Sequence, residues 1–94
     1  MVTTLFALGQ VVATPGARRE FDPVLIAKLL HRHLAGDWGD LDADDVRANN
    51  QALRTGARLL SAYETPAGRC WIITEATDDA GLRRSTCVLR PQDY

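Results

Sequence analysis

The sequence predicts an α+β fold, an antiparallel sheet of about four strands with two helices on one face. Three observations carry that expectation. Apolar residues recur at helical spacing between residues 25 and 34, a thinner helical line runs from 46 to 57, and three β-rich runs separated by turn residues fill the C-terminal part. Helices grouped ahead of a run of strands indicate segregated layers rather than alternating βαβ units.

The first element, LFALGQVVAT at residues 5–14, reads as a strand with apolar side chains on both faces, ended by Thr14-Pro15-Gly16. Ala17 to Phe21 is a charged connector. Asp22 then supplies an N-cap, and Pro23 suits the first helical position, where its missing N–H costs nothing. Leu25, Ile26, Leu29, Leu30, His33 and Leu34 form one stripe; Lys28, His31 and Arg32 fall toward the other side, and Gly36 stops the helix. The second helix is capped by Asp42, with Asp44 and Asp45 in its first turn at the positive end of the dipole. Leu41 and Val46 have the spacing of a hydrophobic staple. Val46, Asn50, Leu53 and Ala57 trace its narrow inner line, which makes Asn50 a candidate buried polar group, and Gly56 ends it. ARLLSAYE, GRCWIITEA and RSTCVLR follow as three strands of a meander, joined by turns at Thr65–Gly68 and Thr77–Leu82.

The bulk numbers set outer bounds. Ninety-four residues make one domain, because two halves of that size would each lack a sufficient core. A net charge of −1 gives no reason to expect nucleic acid or an anionic membrane as partner. No apolar run approaches the roughly 20 residues of a membrane helix, and the N-terminus lacks a basic leader region, so a cytoplasmic protein is expected. Cys70 and Cys87 are too few for a disulfide framework and lack metal-site spacing, although the strands that hold them are expected to pair.

The segments ALGQVVATPGA, RHLAGDWGDL, ANNQAL, GARLLSAY, WIITEA and RPQDY, in that order along nearly the whole chain, resemble a group of small bacterial proteins labelled plasmid-related and carried on mobile elements. The resemblance implies a bacterial cytoplasm with plasmids or prophages. It implies no activity, no cofactor and no catalytic residues.

The most chemically suggestive stretch is HRHLAGDWGD, residues 31–40. On a helix, positions two apart differ by about 200°, so His31 and His33 point in opposite directions and do not chelate one metal together. His33 belongs to the apolar stripe. His31 sits where it can meet free C-terminal carbonyls. Five aspartates, Asp37, Asp40, Asp42, Asp44 and Asp45, lie between residues 37 and 45 with no basic residue among them. They are either a dipole-matched, turn-bonded helix entrance or an acidic contact patch. Trp38 is either a lid over the core or an interaction anchor. Tyr63, Glu75, Arg83 and Arg84 are candidates for cross-strand pairs on an exposed face.

The leading functional expectation is a non-catalytic binding or regulatory protein acting on a host or defence protein. Its surface would be Asp37, Trp38, Asp40, Asp42, Asp44 and Asp45, with a homodimer left open and no cofactor or metal expected. The alternative is a small enzyme acting on a phosphate-containing substrate, with His31 or His33 and Glu75 as acid and base.

Overall fold

In the computed structural model, residues 4–94 are described. They run through strand β1 (Gln10–Ala13), helices α1 (Pro15–Glu20), α2 (Pro23–Leu34) and α3 (Ala43–Thr55), and strands β2 (Leu59–Thr65), β3 (Gly68–Thr74) and β4 (Ser85–Leu89). A 3-10 turn, Pro91–Asp93, follows. The expected α+β class holds.

The sheet order is β1-β4-β3-β2. β2, β3 and β4 form the expected antiparallel meander, but β1 pairs with β4 in parallel, Val12 opposite Cys87. The sheet is therefore mixed, which corrects the expectation of an antiparallel one. Hairpins of two to a few residues force a chain reversal and can be read locally. The helical crossover between β1 and β2 forces none, so the direction of β1 is set by tertiary packing alone.

The N-terminal strand is also shorter than its apolar run. Gly9 has φ 64° and turns the chain out of the sheet, and a Cβ there would lie 2.5 Å from backbone atoms of Arg83 and Arg84. Phe6, upstream of that bend, leaves the sheet and packs edge-on against His33. A third helix, α1, occupies the expected connector. Thr14 caps it by accepting a hydrogen bond from Ala17 N at 3.1 Å, and Pro15 opens its first turn.

The two longer helices begin where their caps predict. Asp22 accepts from Val24 N at 2.8 Å, Asp42 accepts from Asp45 N at 2.8 Å, and Gly56 closes α3 in the left-handed conformation. Their apolar sides build two clusters against the sheet. Ala17, Phe21, Leu29, Tyr63, Cys70, Ile72 and Val88 form one; Trp38, Ala52 and Leu59 form the other, with Phe6, Leu41, Val46 and Leu53 against it. β2 contributes to both, Leu59 to one and Tyr63 to the other, so the clusters share a single sheet. Each large side chain buried in them contributes roughly 1.5–3 kcal/mol.

Strand alternation separates the two thiols. Ile72 pairs with Val88 and Ile73 with Cys87, so Cys70 lies on the face of Ile72 while Cys87 lies on the opposite face. The pairing of their strands does not bring them together. Burial pushes the Cys70 thiol up to about 12.

Candidate functional site

The stretch from Arg32 to Asp40 is a helix stop that becomes the cover of a sheet edge. Gly36 and Gly39 take positive φ, and at Gly39 a Cβ would lie 2.1 Å from the carbonyl oxygen of Ala62. Only a glycine allows the loop to approach β2 that closely. Trp38 then accepts from Ala62 N through its carbonyl at 3.1 Å, and Asp40 N donates to Ala62 O at 2.6 Å. The Asp40 carboxylate accepts from Glu64 N at 2.8 Å. One step further, Asn49 of α3 accepts from Leu60 N at 3.1 Å and donates to Leu60 O at 2.6 Å. Leu60, Ala62 and Glu64 are the residues whose N–H groups face away from β3, and all three donors are met. The β2 edge is closed.

These bonds decide the predicted site residues. Trp38 is only 3% exposed, stacks on Phe6 with ring centroids 6.3 Å apart, and donates from Nε1 to Asn50 at 3.1 Å. It is a core lid, and the aromatic half of the expected surface is withdrawn from solvent. Asp37 pairs with Arg32 (Nε to Oδ2 2.7 Å) and accepts from Gly39 N, and the Arg32 guanidinium holds its carboxyl below the usual carboxylate range. Asp42 is the α3 cap, Asp44 pairs with Arg47, and Asp40 bonds β2. Asp44 and Asp45 are exposed at the entrance of α3, the charge arrangement its dipole favours. Asn50, expected to be buried, is exposed; its neighbour Asn49 is the buried amide, 4% accessible. Val46 and Leu53 of the expected inner line do pack against the Trp38 cluster, and it is Asn49 rather than Asn50 that faces the β2 edge between them.

Tyr63, Glu75, Arg83 and Arg84 do not pair with one another through their side chains. Tyr63 is buried and donates its hydroxyl to Asp37 O at 2.6 Å; burial pushes its ionisation up to about 12. Arg83 donates to the carbonyls of Ala52, Ala57 and Glu75, closing the C-terminal end of α3, and Arg84 pairs with Asp78.

His33 is fully buried with both ring nitrogens engaged, Nδ1 on Ser61 at 2.5 Å and Nε2 on Thr74 at 2.9 Å. Thr74 bonds Thr86 at 2.7 Å, and Thr86 donates to Leu8 O at 2.7 Å. Because that last carbonyl only accepts, the directions back to Nε2 follow, and with burial favouring the uncharged ring Nδ1 is the acceptor from Ser61. Thr86 gives its proton to Leu8, Thr74 to Thr86, His33 Nε2–H to Thr74, and Ser61 to Nδ1. The imidazole is neutral and protonated on Nε2. Burial, with the nearby Arg83 charge, pushes its pKa down to about 4. Glu75 takes no part in this chain and is exposed, as is His31. The geometry thus uses His33 to tie α2 to three strands and holds it away from any cleft.

The other edge of the sheet is built differently. Gln10 N donates to Arg84 O and Thr14 N to Val88 O, each at 3.0 Å. With the two-residue alternation of a strand, the N–H and C=O of Gln10 and Val12 face β4, and those of Val11 and Ala13 face outward. Among the described residues nothing bonds the N–H groups of Val11 or Ala13. Val11 is 42% and Val12 44% exposed. Beside them lies an open depression lined by Val11, Val12, Ala13, Ile26, Val88 and Arg18. The sequence contains the signal for this edge in Gln10–Ala13, two adjacent valines in a short strand, but edge or interior cannot be told from a single strand.

No membrane-spanning helix occurs among the described residues, and no group of three or more His, Cys, Asp or Glu that could hold a metal ion. No protein-family model matches the chain, and no curated protein or solved structure gives a significant match. The functional reading therefore rests on the geometry of this chain.

Proposed function

We propose that this is a non-catalytic binding protein that engages another protein through the open β1 edge and the depression beside it. The observation that carries the reading is the asymmetry of the sheet: every outward N–H of β2 is bonded, while those of β1 have no partner among the described residues and lie beside exposed valines. The acidic turn first considered as the contact surface is largely occupied in building the β2 cover and the start of α3. In the setting implied by the sequence resemblance, a plasmid- or prophage-type element in a bacterial cytoplasm, the partner is a host or defence protein.

The test is cross-linked affinity capture from a plasmid-bearing bacterial host. The native chain is compared with Val11→Pro and with an Asp37→Asn, Asp44→Asn, Asp45→Asn triple variant. Val11→Pro fills the outward position with a ring while sparing the ladder to β4, and it is expected to abolish capture; the triple variant is expected to retain it. The reverse pattern returns the site to the acidic turn.

A further inference from the structure

Resting on that reading, we propose that the occupant of the β1 edge is an extended protein segment with apolar residues at alternate positions and a carboxylate side chain that meets Arg18.

An edge strand selects first for backbone. Val11 and Ala13 offer outward N–H and C=O groups two residues apart, and the group that matches this repeat is another extended chain. The wall of the depression selects for side chains. Val11, Ala13 and Val88, on one face of the sheet, and Ile26 of α2 present an apolar surface that receives every second residue of an added strand, while the Val12 side chain points to the opposite face with Cys87. Arg18, on α1, supplies the one charge in that lining. Its guanidinium makes no ion pair or hydrogen bond among the described residues, a state it shares with Arg19 and Arg54, but of the three only Arg18 lines the depression; Arg32, Arg47, Arg69, Arg84 and Arg90 are each paired with a carboxylate. An unpaired guanidinium at the rim of an apolar groove favours an acidic group in the occupant and disfavours a basic one. A second copy of this chain fits less well. The strand Gln10–Ala13 carries no acidic residue to offer, so edge-to-edge self-pairing leaves each Arg18 without a counter-charge from the added strand.

The experiment uses the full chain, 15N-labelled, and two synthetic ten-residue peptides of alternating Val and Thr, one carrying a central Asp and the other Lys at the same place. Amide hydrogen exchange is read at Val11, Val12 and Ala13. The Asp peptide is expected to slow exchange at Val11 and Ala13 and to leave Val12, already bonded to β4, unchanged. Replacing its Asp by Lys is expected to weaken binding roughly fivefold, the scale of one exposed charge pair. Arg18→Glu should reverse the preference between the two peptides, which a merely structural arginine would not do. Three results overturn the proposal. If neither peptide protects either amide, the edge does not accept an added strand of this chemistry. If Val11 and Ala13 are protected in the chain alone and lose protection on dilution as the mass halves in light scattering, the occupant is a second copy. If peptides bind with no preference for Asp or Lys, Arg18 does not select. Failure of the peptides while Val11→Pro still abolishes cellular capture rejects this occupant and keeps the binding function; unimpaired capture by Val11→Pro rejects both.

Discussion

At the residue scale, the molecule places its polar side chains where backbone would otherwise be left unpaired. Asn49 is the clearest case, since one amide serves both the N–H and the C=O of Leu60. Asn49→Leu removes both partners at once and is expected to cost about 2–3 kcal/mol in urea unfolding, while Asn50→Ala, at an exposed position where water replaces the bond from Trp38, costs under about 1 kcal/mol. His33 makes a prediction about pH. Its folded pKa of about 4 lies below the ordinary value of 6.5, so between those values the unfolded chain binds the proton that the folded chain refuses. Stability from the neutral ring is full above pH 6.5 and is lost as pH falls toward 4, by at most about 3 kcal/mol. Chemical unfolding at pH 7, 5.5 and 4.5 measures the slope, and His33→Gln should flatten it over that window. The histidine was legible in the sequence as a stripe residue. Its three hydroxyl-linked partners were not, because Ser61, Thr74 and Thr86 come from three strands whose mutual register the local sequence does not encode.

At the element scale, capping chemistry was the most readable part of the chain. Asp22-Pro23 and Asp42 mark the starts of α2 and α3, and Gly56 marks the end of α3. Asp22→Ala and Asp42→Ala are each expected to cost about 1 kcal/mol, checked by the shift of the thermal midpoint. The same grammar stands in Thr14-Pro15, yet α1 spans only six residues and its apolar content is too small for a periodic stripe. Thr14-Pro15-Gly16 reads equally well as a strand terminator, and the choice between the two is made by contacts from distant residues. Thr14 donates to Asp93 at 2.7 Å, and Arg90 clasps the same carboxylate, which lies below the usual carboxylate range through those bonds. A Cβ on Gly16 would meet the Arg90 guanidinium at 2.2 Å. The C-terminal turn therefore fixes the first helix from the far end of the chain.

At the scale of the whole molecule, the two sheet edges make opposite predictions for proline. Ala62→Pro removes the donor to Trp38 O at the covered β2 edge and is expected to destabilise by about 3 kcal/mol or more. Val11→Pro removes an N–H that faces outward and should leave the unfolding midpoint within about 1 kcal/mol of the native chain. Paired denaturant curves for the two variants check whether the edges differ as their bonding indicates. The difference matters for association, because an open edge flanked by exposed valines is a template for another strand.

The sequence by itself determined the α+β class, both long helices with their caps, the C-terminal meander and the burial of His33. Each of these depends on interactions within a few residues: side-chain periodicity, an Asx bond to a nearby N–H, or a tight turn. Tertiary structure alone decided the parallel direction of β1, the separation of Cys70 from Cys87, the burial of Trp38 and the structural employment of the neighbouring aspartates. It also decided which edge of the sheet is covered by the loop and α3 and which is left unbonded among the described residues. A decapeptide that reads as a chemical site is consumed in covering β2, while the outward N–H groups of the plain Gln-Val-Val-Ala segment have no partner among the described residues. The reason is physical: a backbone N–H is satisfied or free according to what lies across from it, and that neighbour is supplied by a part of the chain remote in sequence.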